Sequence, residues 1–99
     1  ADDIGGMDAL SELIDVFLAE GRANVDEYVA AVARGDAHAA MQATHTLKSS
    51  AATFAAHRLA ELCRAAEAEG RAGHVSAETA RELRAEADRV FALLQARRA

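Results

Sequence analysis

The sequence predicts an all-α fold: four helices in an antiparallel up-down-up-down bundle. Three observations predict it. The chain has no proline, three Phe, one Tyr and no Trp, and alanine makes up much of its 52% apolar content. That composition favours close-packed helices over sheets. Apolar residues recur in steps of three and four through most of the chain, which is helical periodicity. The stretches between the periodic runs are short, and short connections join antiparallel neighbours. Ninety-nine residues suffice for one modest core, so residues 1–99 read as a single domain. There is no repeat and no linker.

The first helix spans about residues 7–34. Its inward stripe is Met7, Leu10, Ile14, Phe17, Gly21, Val25, Tyr28 and Val32. Gly21 lies on the stripe without breaking its phase, so one long helix, bent there if at all, is preferred to two short ones. Arg34, Gly35 and Asp36 then supply a basic last turn, a glycine for the left-handed C′ position and a fresh N-cap. The second helix, about 36–54, turns Ala40, Thr44, Leu47, Ala51 and Phe54 inward. Continuing that phase would bring in Arg58 and Glu61. The apolar stripe resumes instead at Leu59, Leu62, Cys63 and Ala66. This slip places a turn near Ala55–His57, although no Gly or Pro marks it. The third helix spans about 57–70, and Gly70–Gly73 reads as a loop. Ser76 caps the fourth helix, about 76–97, with Ala80, Leu83, Ala87, Val90, Phe91 and Leu94 inward.

Charge and composition exclude several classes of function. A net charge of −5 and a pI near 5.3 oppose binding to nucleic acid, which needs a basic face. They also oppose an anionic membrane surface. The one cysteine, Cys63, permits no internal disulfide and fits a reducing compartment. It falls on an apolar stripe and reads as a core residue. No apolar run has the length of a membrane span, and no signal peptide is visible, so a cytoplasmic location is expected. The chain starts at Ala1 without a methionine, as a domain cut from a longer protein does. No glycine-rich phosphate loop is present, so neither ATP binding nor self-phosphorylation is expected. No two histidines have the i, i+4 spacing of a helical zinc site, and no metal site is expected.

The chemistry concentrates in His45-Thr46-Leu47-Lys48-Ser49-Ser50. At roughly 100° per residue, His45 lies about 160° from Leu47 and points away from the core. Its surface neighbours are His38, Met41, Lys48, Ser49 and Ala52, three, four or seven residues away. Lys48 is the only lysine, against ten arginines, and reads as an exposed helix position. A neutral imidazole is a nucleophile near neutral pH. To take a phosphoryl group it needs one ring nitrogen free and the other held by an acceptor. It also needs a nearby cation, since such catalysis is mostly positioning and electrostatics. Lys48 supplies a cation, and Ser49 and Ala52 leave space for an approaching partner. A lone solvated histidine is the plain alternative for His45, and more so for His38. His57 reads as a turn residue and His74 as a loop residue.

The run from Thr44 to Ala56, followed by Leu59, Leu62, Cys63, Glu67 and Gly70-Arg71, resembles a histidine phosphotransfer (HPt) domain of bacterial multistep phosphorelays. The family pattern is histidine, one free position, leucine, lysine, glycine, serine. His45, Leu47, Lys48 and Ser50 match it, while Ser49 stands where the family usually has glycine. Ala52 and Ala55 also replace common glycines, so the turn after Phe54 lacks its usual φ-permissive residue.

The resemblance implies a four-helix phosphocarrier without its own ATP site. His45 would accept a phosphoryl group from a receiver-domain aspartate and pass it to another receiver. Lys48 would stabilise phosphoryl charge, and the receiver would supply Mg2+, with no cofactor bound here. In the family a glutamate or glutamine on the next helix often holds the second ring nitrogen, and Glu67 matches that place. Glu67 reads equally as a solvated residue paired to Arg64 or Arg71. The expected docking surface is the exposed side of helices one to three, with His38, Met41, Ser49, Ala52 and Arg64. The expected partners are receiver domains of response regulators and of hybrid histidine kinases, met by a monomer. Two rival readings stand beside this one. One is a chemotaxis-kinase-type phosphotransfer domain labelled by an ATP-binding kinase domain. The other is a helical adaptor in which His45 is incidental.

Overall fold

The computed structural model describes residues 2–98, with side chains described from residue 9. Met7 therefore lies outside the described side chains. The described residues form four α-helices and no strand: α1 Asp2–Ala33, α2 Ala37–Thr53, α3 His57–Arg71 and α4 Ala77–Arg97. α1 starts at Asp2 rather than near residue 7, and it passes through Gly21 without interruption.

The helix ends follow from local chemistry. The Asp36 side chain accepts from the Ala39 N–H at 3.0 Å and starts α2. Ser76 accepts from the Thr79 N–H at 3.2 Å and starts α4. Three connections close in the same way, with N–H groups folding back on the last free carbonyls. After α1, Gly35 bonds Val32 and Asp36 bonds Ala31. After α3, Gly73 bonds Gly70 and His74 bonds Glu69. Both glycines have positive φ, 71° and 90°. After α2 the same motif is built with alanine: Ala55 bonds Ala52 and Ala56 bonds Ala51, and Ala55 has φ 56°. An L-residue with a Cβ is strained there.

α1 packs on α2 and α4, and α3 packs on α2 and α4. Phe17 joins three helices, with its ring 4.7 Å from Phe54 and 5.7 Å from Phe91. Gly21 lies under Phe91, where a Cβ would come within 2.9 Å of the ring. The core otherwise consists of the stripe residues of all four helices, Leu47, Leu59, Cys63, Leu83 and Ala87 among its fully enclosed members. Leu18, Ala31, Ala43 and Ala60 join it although the stripe reading passes over them.

Two expectations need correction. Leu10 is on the inward stripe of α1 yet is 55% exposed. Phe17 meets Phe54 at the end of α2, and Asp15 pairs with Arg98 just beyond α4. The part of α1 before about residue 13 thus runs past the ends of its neighbours, and the stripe there has nothing to pack on. Gly70 belongs to α3 and is buried, not part of a loop. Its missing side chain serves helix approach: a Cβ would lie 2.7 Å from the Ala37 carbonyl oxygen and 2.9 Å from Met41 Cβ.

Candidate functional site

α2 fixes the site through its phase. Leu47 is fully buried, which turns His45 to the opposite side, and 64% of the His45 side chain is exposed. Lys48, one turn on, is 29% exposed and so is not the open surface position expected. α3 supplies the third member. Glu67 follows Ala66 on the face packed against α2, and the close approach at Gly70 holds that face near. Glu67 is only 5% exposed.

The Glu67 carboxylate gathers three partners. His45 Nδ1 lies 2.8 Å from Oε2. Lys48 Nζ donates to Oε1 at 2.6 Å, and an Arg71 guanidinium nitrogen donates to Oε2 at 3.2 Å. The hydrogen bond from Lys48, helped by that from His45, holds the carboxyl below the usual glutamate range against the opposing effect of burial. An ionised carboxylate only accepts hydrogen bonds. Nδ1 is therefore the protonated nitrogen of a neutral His45, and Nε2 keeps its lone pair. This is a ring held from behind and open in front.

The solvated reading of Glu67 fails, because the residue is buried. Its Arg71 pair exists, but as one of three contacts. Arg64 is exposed and makes no hydrogen bond to Glu67 among those described. Arg71 was not among the candidate site residues, although its i, i+4 spacing from Glu67 is the signal that finds it. Of the expected docking residues, His38, Ser49, Ala52 and Arg64 are exposed and Met41 is half-buried. His57 is the first residue of α3 rather than a turn residue.

The one thiol is closed off, while the exposed His38, His57 and His74 make none of the described contacts with a buried carboxylate. Cys63 is fully buried, and burial pushes its thiol up to about 12. Surface clefts of 160–250 Å³ lie elsewhere, and His45, Lys48 and Glu67 line none of the four. An exposed imidazole outside any cleft suits a macromolecular partner better than a small ligand, which is usually enclosed. Among the described residues no group of three or more His, Cys, Asp or Glu can hold a metal ion. Among the described residues no helix is long and apolar enough to cross a membrane.

A family model, the Hpt domain, matches residues 12–93. The chain belongs to the Hpt domain family. Hpt domains carry phosphoryl groups on histidine in phosphorelay signalling, interact with receiver domains and are phosphocarriers rather than catalytic enzymes. No curated protein and no solved structure matches the chain.

Proposed function

We propose that His45 is the phosphoryl acceptor of this domain, taking the group from a receiver aspartate and passing it to a second receiver. The observation that carries the reading is the 2.8 Å contact of an exposed His45 Nδ1 with a buried carboxylate. The Nε2 lone pair attacks phosphorus of the aspartyl phosphate. The P–O bond to the aspartate breaks, its electrons return to the receiver's carboxylate, and a P–N bond forms. The ring becomes cationic, and Glu67 stabilises that charge through the Nδ1 proton. Lys48, one turn from His45 and bonded to the same carboxylate, supplies the cation that answers the charge on the transferred group. The receiver supplies Mg2+ and the acidic pocket. The docking surface is the outward side of α1–α3 around Met41, Ser49 and Ala52, with His38 and Arg64 at its margin.

The helices run up-down-up-down in this reading, in one domain. The pairs Phe17–Phe54, Lys48–Glu67 and Asp15–Arg98 support it, since in each the later partner lies on the returning helix or at its C-terminal cap.

The test is incubation with phosphorylated receivers, followed by mass spectrometry under alkaline conditions. His45 is expected to carry the label, and His45→Gln to take none while keeping its helicity. Full labelling of His45→Gln would sink the assignment. Labelling by an ATP-bound kinase domain but by no receiver would favour the chemotaxis-type reading, and labelling by neither the adaptor.

A further inference from the structure

All the large apolar side chains that are strongly exposed, among the described residues, lie at one end of the bundle: Leu10, Leu13, Val16 and Leu93, each about half exposed. Leu13, Val16 and Leu93 line clefts that share Phe54. A cleft of about 160 Å³ between α1 and α2 is lined by Leu13, Val16 and Phe54. A second, of about 220 Å³, is lined by Phe54, Leu93, Leu94 and Arg97. Above them runs the overhang of α1, where Leu10 occupies a core position with no core to enter. Isolated exposed leucines need no explanation, but a contiguous apolar end marks a contact surface.

Charge says what covers it. Residues 1–21 contain six acidic and no basic side chains, whereas residues 89–98 contain Arg89, Arg97 and Arg98 and no acid. Among the described residues this complementarity is used once within the chain, by the Asp15–Arg98 pair at 2.6 and 2.8 Å. Glu12 on the overhang and Arg97 on the cleft rim have no ion pair among those described. The same end thus carries an acidic apolar helix and a basic apolar cleft. A surface that presents both halves of a complementary pair is suited to a two-fold contact with itself, in which each contact is made twice.

We infer that this end binds a second copy of the chain. The overhang of each protomer lies on the Phe54–Leu93 cleft of the other, with Glu12 facing Arg97 across the interface. The overhang spans about 18 Å at 1.5 Å per residue, a length of helix free to lie on the other protomer. The monomer expected from the sequence gives way to a dimer. The inference does not rest on the phosphocarrier reading, because His45 lies mid-bundle, outside both clefts.

Sedimentation velocity on the full chain, from micromolar to millimolar concentration, tests it. The wild type is expected to sediment as a dimer that weakens as salt screens the charges. Leu10→Asp combined with Leu13→Asp is expected to give a monomer of unchanged helicity, since both side chains are exposed in the single chain. Arg97→Glu is expected to weaken the dimer by about tenfold, roughly 1.4 kcal/mol, and adding Glu12→Arg to restore it. A wild type that stays monomeric overturns the proposal. So does a dimer indifferent to the leucine changes, or a charge swap that restores nothing. A monomer that loses receiver binding in the leucine variant would assign the surface to the receiver instead.

Discussion

Lys48 Nζ stands 2.6 Å from Glu67 Oε1, closer than His45 Nδ1 stands to Oε2. The lysine one turn from His45 is thus first a partner of the buried carboxylate. Lys48→Ala strips the strongest hydrogen bond from that carboxylate. A loss of about 1–3 kcal/mol is expected, where an open surface site would lose less than about 0.5 kcal/mol. Phosphoryl transfer should also slow. Urea unfolding with a label-transfer assay checks both, and unchanged stability would show that the pair contributes nothing to folding.

Glu67→Gln keeps the shape and removes the charge. An amide both donates and accepts, so it no longer dictates which His45 nitrogen carries the proton. Transfer should slow, and imidazole nitrogen NMR should report mixed tautomers. The variant should also change the response to acid. The Glu67 carboxyl is held below its ordinary value by Lys48 and His45. It contributes stability above the titration range of a free glutamate, lost as pH falls below about 4. Glu67→Gln should lose less stability than the wild type over that range. Parallel stability curves for the two proteins would contradict the assignment.

Ala55→Gly should raise stability by about 1 kcal/mol. Ala55 holds φ 56° in the α2–α3 turn, a conformation costing an L-residue roughly 1–2 kcal/mol. Part of the relief is offset by the greater freedom of glycine in the unfolded chain. Thermal unfolding is the measurement, and a lower midpoint would mean that the turn is not strained.

Ser49→Gln tests the approach over the histidine. Ser49 is exposed, one turn beyond His45. Glutamine is the better helix former, so the fold should persist while the longer side chain blocks the partner. Receiver titration and label chase are expected to show weaker binding and slower transfer. If neither changes, the partner comes from another side.

Helical periodicity made the fold class legible and sorted Leu47 from His45 correctly, because a buried stripe has a fixed phase. It failed at Leu10, because phase says which way a side chain faces and not whether a neighbour stands there. The slip in phase before Leu59 matches the turn at Phe54–Ala56, and the alanine at its left-handed position was visible as a departure from glycine. Glu67 was ambiguous for a different reason. Its spacing allowed His45, Arg64 or Arg71 as partners, and the choice depends on how closely α3 approaches α2. That separation is set at Gly70, which looked like loop punctuation.

Gly70 leaves only a hydrogen atom between the α3 backbone and the Ala37 carbonyl and Met41. The two helices therefore touch, less than one turn from Glu67, through backbone and Cβ atoms that have no alternative rotamers. The His45 ring thus rests on a braced strut. When a partner presses on His45, the load passes through Glu67 into a helix contact that cannot yield by repacking. The alignment of Nε2 is a property of the frame and not of one side chain's choice of conformation.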